Sequence, residues 1–469
     1  MRIIQIFPEA PFPTGSGGQV RAYHFARVAA ALGELSACVL VEPGQVTVAS
    51  DLAAAAATVL QPPAGSSQRQ PPRESRSRWL GPLRALGVLA APWRSGGKPL
   101  LTAGAVNCVG RAEAAREAPL SLPHQLYAAL IYAQARLCAR LFNFLPTGAL
   151  VRSELWQALL PEILRWHENR HIDVIWCEHS YLYPFAEQLH RLFPQARLVC
   201  DAHNVEFLLN QRIGQGMKSA IARWWTLLEA AILRRWEERM LRRATLTFAC
   251  SENDAALLRA ISPNAHVEVV PNGVDTDHFK PVSNGLESPS PTLLFTGAGG
   301  YPPNDDAVAW LISEILPLIR REIPQTRLFL AGKSAETTWS GLAGGDPLIE
   351  FASDVPDMRP YFQKAWIALV PLRSGSGTRL KILEAMAMGR AVVSTTLGAE
   401  GIEGIPGTHL ACADSASGFS AEVVRLLRQP ERRQRIGQAG RQLVCEKYDW
   451  ALLRSRAIQA FTSALPQRS

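Results

Sequence analysis

The densest chemistry of the chain lies in residues 371–389, PLRSGSGTRLKILEAMAMG. An apolar run ends at Pro371, a glycine-serine loop carries Ser376, Gly377 and Thr378, and the spacing predicts a helix from about Arg379. A helix start aims unpaired backbone N–H groups at one point, here those from Gly377 to Leu380. Arg379 and Lys381 add two cations at the same place, and the combination suits a diphosphate. Glu384, about one and a half turns farther on, is the only carboxylate of this helix. Its oxygens can accept the paired hydroxyls of a ribose. The bland alternative is a solvated helix start with a surface glutamate. Ile382, Leu383, Ala385 and Met386 argue against it, because they would bury most of the helix.

Other loops offer further polar groups. Gly17 and Gly18 end the loop PFPTGSGG before a helix, where bare backbone can approach an anion closely. That loop lacks the G-x-G-x-x-G spacing, so a mere tight turn is an equal reading. His179 in Cys177-Glu178-His179-Ser180, and His203 with Asn204 in Asp201-Ala202-His203-Asn204, each follow a strand-like run. A single strand-end histidine is ordinarily structural, but two on consecutive strands point to a shared cleft. Asp275-Thr276-Asp277 has the D-x-D form of a metal site. No other acid cluster has ligand spacing, so a turn with capping acids is expected, and no metal. Asp305 and Asp306 suit the first turn of a helix from Asn304.

These residues need elements to hold them. Apolar strand-like runs occur at Arg2–Ile6, Ser36–Val41, Val174–Cys177, Leu198–Cys200, Thr245–Ala249 and Val267–Val270. A second series occupies Thr292–Thr296, Arg327–Leu330, Ala365–Val370 and Ala391–Ser394. Helical patterns lie between, among them Val20–Leu32, Asn304–Ile323, Leu380–Met388 and Ser420–Leu427. Such alternation predicts an α/β fold with two parallel sheets in tandem, each covered by helices. The seam is expected at Pro281–Pro291, PVSNGLESPSP. Ligands of open α/β sheets bind beyond the carboxyl ends of the strands, so the site should lie between the two halves.

Composition narrows the class. The 469 residues are 47% hydrophobic and 19% charged, which excludes a disordered chain. Eight cysteines lie singly with no C-x-x-C pair, which argues for buried reduced thiols. The first residues lack the form of a signal peptide, and no run reaches the apolar length of a membrane span. A cytoplasmic protein, at most peripheral to a membrane, is expected. Of the net charge of +8, residues 60–111 hold +7, from eight bases and one acid. This proline-rich stretch reads as an extended basic insertion, followed by helices over 124–145 and 152–168. It has no recognisable nucleic-acid-binding module, so nucleic acid is not the expected partner. Residues 217–243 form a basic helix with Trp224, Trp225 and Trp236, which suits either an anionic membrane surface or packing on the first domain.

Three segments carry a family resemblance. They are Ala249–Asp254 (ACSEND), Val269–Asp275 (VVPNGVD) with Phe279, and Lys381–Gly389 with Ala391–Ser394. Together they resemble the retaining GT-B glycosyltransferases of family 4, the group 1 glycosyl transferases, over residues 1–45 and about 170–460. The resemblance implies two Rossmann-like domains facing across a cleft. Residues 1–282 would be the acceptor-side domain and 292–449 the donor domain, with a helix in 450–469 packing back on the first. It further implies transfer of a sugar from a nucleoside diphosphate to an acceptor, with retention and without metal or cofactor. A glycan or lipid-linked glycan of cell-surface polysaccharide assembly is the expected acceptor.

The resemblance also assigns roles, and this chain departs from some of them. His203 matches a family histidine near the reacting carbon, with His179 and Asn204 on the sugar or acceptor side. Ser376 stands where many members have the first of two glutamates, while Glu384 matches the second. The loop Gly297–Asn304 lacks the cations that members often place on the donor phosphates. Arg379, Lys381 and Lys333 are the expected substitutes, joined on the donor side by Gly17, Gly18, Asn304, Gly377, Thr378 and Leu380. The loop Phe351–Val355 is expected to touch the base, with Val355 as its contact. A catalytically silent partner subunit and a GT-B epimerase remain as alternatives, the former favoured by Ser376.

Overall fold

Aliphatic runs with few polar breaks build two all-parallel sheets, as expected of strands buried on both faces. The computed structural model describes residues 1–11, 17–41, 56, 58–62, 145–167, 170–217, 219–281, 287–374 and 379–465. The first sheet has seven strands in the order β3-β2-β1-β4-β5-β6-β7. These are β1 Arg2–Phe7, β2 Glu34–Val39, β3 Thr58–Leu60, β4 Val174–Glu178, β5 Arg197–Ala202, β6 Leu246–Ala249 and β7 Val267–Val269. The second has six strands in the order β10-β9-β8-β11-β12-β13. These are β8 Thr292–Thr296, β9 Arg327–Gly332, β10 Ile349–Ser353, β11 Ile367–Val370, β12 Ala391–Ser394 and β13 Ala411–Cys412.

Three strands escaped the sequence reading, and each lies at a sheet edge. β3 and β13 are only three and two residues long, and β10 (IEFAS) mixes polar with apolar residues. An edge strand is covered less completely, so its sequence need not be a continuous apolar run. One consequence is a correction: Phe351, Ala352 and Ser353 belong to β10, and the loop begins only at Asp354. The helix expected as one piece over Asn304–Ile323 is two, Pro302–Trp310 and Leu316–Glu322, joined by a π-helical turn at Leu311–Ile315. Pro317 explains the turn, because its ring would collide with the carbonyl of Ser313 in an unbroken α-helix.

The tryptophan-bearing helix runs over Ala220–Arg243, its start capped by Ser219, which accepts from the Ala222 amide at 3.3 Å. Its tryptophans face the protein. Trp236 is buried against Tyr183, and Trp224 and Trp225 pack on the first core. The last helix, Trp450–Ala464, returns to the first lobe. There Trp450 stacks on His24 at 4.1 Å and Phe461 on Trp176 at 5.7 Å.

Cys38, Cys177, Cys200 and Cys250 are buried free thiols. Among the described residues no helix is long and apolar enough to cross a membrane. The basic insertion beyond residue 62, the helix expected over 124–145, and Ser376, Gly377 and Thr378 lie outside the described residues. The helix expected at 152–168 is present as Thr147–Trp166.

Candidate functional site

The carboxyl ends of β1, β4 and β5 bring polar residues into the first core. Gln5, Glu178 and Asp201 are buried, and Glu178 lies beside Asp201 in the parallel register. A buried charge needs a partner, and Arg21 from the helix Gly17–Leu32 supplies it. Its guanidinium grips Asp201 through contacts of 2.6 and 2.8 Å and donates to the Val270 carbonyl at 2.7 Å. Burial works to raise the Asp201 pKa, but Arg21 and His203 hold it well below the carboxylate range. Glu178 has the opposite fate: burial first, then the Asp201 charge, push it well up. None of these three was singled out from the sequence. The available signal was one arginine in an apolar helix and one acid at the end of each of two apolar strands.

Just beyond them sit the two histidines, in contact. His203 Nε2 lies 2.9 Å from Glu178 Oε2 and 3.2 Å from Asp201 Oδ2. His179 Nδ1 lies 3.4 Å from Glu206 Oε1, and the two rings stack with centroids 3.8 Å apart. His179 has φ of +67°, an unfavourable backbone for a non-glycine residue. Ser334 and Asp354, beside Lys333 and Val355, share that sign. Strained backbone concentrates where a site needs a defined geometry. Gly18 faces the pair: a Cβ there would lie 3.6 Å from His203 Nδ1 and 3.7 Å from His179 Nε2. Asn204 follows His203 and is half-buried.

The second lobe contributes a helix start opposite the first. The helix Leu380–Ala387 begins with Leu380 against Gly17, whose Cβ would come within 3.2 Å of the leucine. Lys381 Nζ donates to Asn304 Oδ1 at 3.0 Å and lies 4.3 Å from the Phe295 ring centroid. Asn304 Nδ2 in turn donates to the Ala298 carbonyl at 2.9 Å, which ties the loop Gly297–Gly300 to Lys381. Burial lowers Lys381 to about 7, aided by Arg379, while burial raises Glu384 to about 7 against the pull of Lys381. Burial also lowers Arg379, opposed by Tyr301 and Glu400.

Lys333 and Val355 flank the same end of the sheet. The Ser334 amide donates to Asp354 Oδ1 at 3.2 Å, and the Gly299 amide to the Lys333 carbonyl at 2.8 Å. Gly332 has φ of +140°, and a Cβ there would strike the Gly297 carbonyl at 2.1 Å. Only glycine lets these loops meet. The Lys333 side chain is exposed and Val355 is partly buried.

The acids read as turn and helix-start residues behave as such with one correction: the helix begins at Pro302, so its first turn holds Asp305 and not Asp306. Asp275 Oδ1 accepts from the amides of Asp277 and His278 at 3.0 and 2.8 Å. Asp305 Oδ1 accepts from Gly300 N and Trp339 Nε1, and Asp306 pairs with Arg373. Glu178, Asp201 and His203 have ligand atoms within 4.8 Å of one another. An ion there would have to displace Arg21 from Asp201 and leave a buried guanidinium unpaired, so this donor set fits a metal poorly.

Between the lobes opens a shallow pocket that merges with solvent. Val205, Leu208, Leu209 and Leu257 form its apolar wall, and Arg212, Ser251, Asn253 and Asp254 its polar one. Glu400 and Gly401 close it from the second lobe. Ser251, Asn253 and Asp254 belong to the ACSEND segment that carries the family resemblance, whereas nothing local in the sequence marks the others.

Comparison with known proteins gives the geometry a context. Residues 290–429 match the profile described as Glycosyl transferases group 1, and residues 124–278 that of Glycosyltransferase Family 4. The glycogen synthase of Mycobacterium tuberculosis is 26% identical over 47% of this chain and 54% of its own length. The phosphatidyl-myo-inositol mannosyltransferase of the same organism is 27% identical over 41% of this chain and 53% of its own. The chain spans about half the length of the curated relatives it matches. Sucrose-phosphate synthase from Thermosynechococcus elongatus superposes over 99% of each chain with a TM-score of 0.64 at 16% identity. HepE from Anabaena, solved with UDP, does so over 99% of this chain and 100% of its own, with a TM-score of 0.60 at 11% identity. The likeness to these structures is one of fold, the two-lobed GT-B arrangement of parallel α/β sheets.

Proposed function

We propose that this chain, which belongs to the glycosyltransferases of group 1 and family 4, moves a sugar from a nucleoside diphosphate to a hydroxyl-bearing acceptor. The observation that carries this reading is the meeting of two helix starts, one from each lobe, at Gly17 and Leu380. Each is a helix N-terminus, whose dipole favours an anion, and Arg379 and Lys381 bring cations to the same point. As the sugar leaves, these groups stabilise the negative charge on the diphosphate, with no metal or cofactor in the reaction. Glu384 accepts the ribose hydroxyls, and Asn304 keeps Lys381 aimed. Val355 flanks the base, Lys333 is a third cation for the diphosphate, Gly18 leaves room for the phosphates, and Ser376, Gly377 and Thr378 complete the donor loop. His203, with His179 and Asn204 beside it, faces the sugar. Structures of HepE with UDP and with UDP-glucose support a uridine nucleotide as the first donor to test.

For the acceptor, the interlobe pocket supports a glycan. Its leucines suit the apolar face of a pyranose, and Asp254 and Glu400 suit its hydroxyls. The reading extends to retention at the anomeric carbon and to work at the cytoplasmic face of a membrane. The basic stretch 60–111 would there meet anionic headgroups, and the acceptor would be lipid-linked.

Calorimetry with UDP, followed by release of nucleoside diphosphate from a donor panel with and without glycan acceptors, tests the reading. Acceptor-dependent release supports transfer. A free altered monosaccharide would instead identify an epimerase, and no release from any donor a silent partner subunit, the option that Ser376 favours. The anomer of the product decides retention. Flotation with anionic liposomes, comparing the full chain with one lacking 60–111, decides the membrane part: equal failure to float sinks it.

A further inference from the structure

The helix Glu206–Gly216 leads from the interlobe pocket to an exposed turn, beyond which the chain enters the helix Ala220–Arg243. Its two faces differ. Phe207 and Gly214, seven positions apart, are buried toward Ala220–Arg243. Arg234 lies 5.4 Å over the Phe207 ring, and a Cβ on Gly214 would meet Thr226 at 3.4 Å. Roughly opposite, at a helical step of about 100° per residue, Leu209, Ile213 and Met217 follow one another at intervals of four. Val205, Leu208, Leu209 and Arg212 line the pocket, so this apolar ridge starts at the pocket wall and ends at the turn.

The turn is held in place and yet bare. Arg223 Nη2 donates to the Met217 carbonyl at 2.9 Å, and Thr226 Oγ1 to the Ala222 carbonyl at 2.9 Å. Ile213 and Ile221, one on either side, are 47% and 55% exposed. Single exposed aliphatics are ordinary, but these two flank Met217 at the end of the ridge and so cluster. Charge indicates what covers them. Residues 207–228 hold three bases, Arg212, Lys218 and Arg223, and no acid. Arg212 and Arg223 are exposed, the first adjoining Ile213 and the second two residues past Ile221. The nearest acids in sequence are engaged elsewhere: Glu206 is buried, and Glu229 accepts from the amide and hydroxyl of Thr147. Aliphatic tips ringed by bases match anionic headgroups above a hydrocarbon layer.

We propose that this turn dips into an anionic bilayer, with Ile213 and Ile221 below the headgroups and Arg212 and Arg223 among them. The ridge then sets the mouth of the interlobe pocket at the membrane surface, where a lipid-borne acceptor can reach it. The inference rests on the membrane reading above, and gives it a second contact apart from residues 60–111.

Hydrogen–deuterium exchange of the full chain, read by mass spectrometry with and without phosphatidylglycerol vesicles, tests the contact. Slower exchange over 213–221 is expected, and less of it with neutral phosphatidylcholine vesicles. Protection confined to 60–111 overturns the inference and leaves the earlier membrane reading standing. Protection over 213–221 alone supports the inference and removes the basic stretch from the contact. No protection, or equal protection on both lipids, overturns the inference. In flotation, Ile213→Ser with Ile221→Ser should lower partitioning by about tenfold or more, since two aliphatic side chains no longer leave water. Unchanged partitioning overturns the inference. Both residues are exposed, so the variant should keep the wild-type melting temperature. UDP calorimetry on the wild type bears only on the transfer reading, so either can fail without the other.

Discussion

Gly17 of the first lobe abuts Leu380 of the second so closely that an added Cβ would lie 3.2 Å from the leucine Cδ1. The lobes are thus in contact where the two helix starts converge. A larger residue must prop them apart. In Gly17→Leu, overpacking of about 1–3 kcal/mol should open the cleft and weaken binding of a nucleotide sugar by about tenfold. Small-angle scattering should show a larger radius of gyration, and an unchanged radius with unchanged affinity would contradict the expectation.

Glu384 should govern nucleotide binding through its charge. Burial places its pKa at about 7, so the anion that accepts ribose hydroxyls is lost as pH falls below that value. Glu384→Ala should bind UDP about tenfold more weakly at pH near 8, the worth of a charge-assisted hydrogen bond. Calorimetry that finds equal affinity would remove the ribose role.

Lys381 predicts the opposite limb. Its pKa of about 7 lies below the unfolded value, so between about 7 and 10.4 the folded protein binds fewer protons than the unfolded chain. Stability should therefore rise with pH across that window. Lys381→Met should flatten this slope and melt higher near pH 6.5, while binding UDP about tenfold more weakly. A lower melting temperature for the variant there would show that burial of the ammonium is not the cause.

The buried pair Arg21–Asp201 should be structural and acid-sensitive. Asp201→Asn leaves a guanidinium without its counter-charge and should cost about 3–5 kcal/mol at neutral pH. Asp201 has a depressed pKa, so the pair stabilises fully above the unfolded aspartate value of about 3.9 and fades as pH falls below it. Denaturant titrations at neutral and acid pH should show the gap between variant and wild type closing.

Much of this architecture can be read from the chain because buried parallel strands announce themselves. β1, β4, β5, β8 and β11 are aliphatic runs, and the helix start at Leu380 carries its cations and glutamate in one short segment. The edge strands are quieter, since half-covered backbone accepts mixed residues such as IEFAS. Glu178, Asp201 and Arg21 are harder still. They are 23 and 180 residues apart in sequence, and only the parallel register and a crossing helix make them neighbours. The tryptophans of Ala220–Arg243 suited two readings in sequence, and their packing on the first core is seen only once their neighbours in the fold are known.

The returning helix Trp450–Ala464 means that the polypeptide passes between the lobes twice, once after Lys280 and again near Asp449. The second passage runs beside the first lobe's outgoing chain, with the Val274 amide donating to the Tyr448 carbonyl at 2.9 Å and Trp450 N to the Val274 carbonyl at 3.2 Å. Two adjacent tethers define a line, as two pins define the axis of a door. A relative movement of the lobes would then pivot near that edge. Each cycle of admission and release would bring Gly17 and Leu380 back into the same register, so a mouth that must open for bulky molecules still closes to a single alignment.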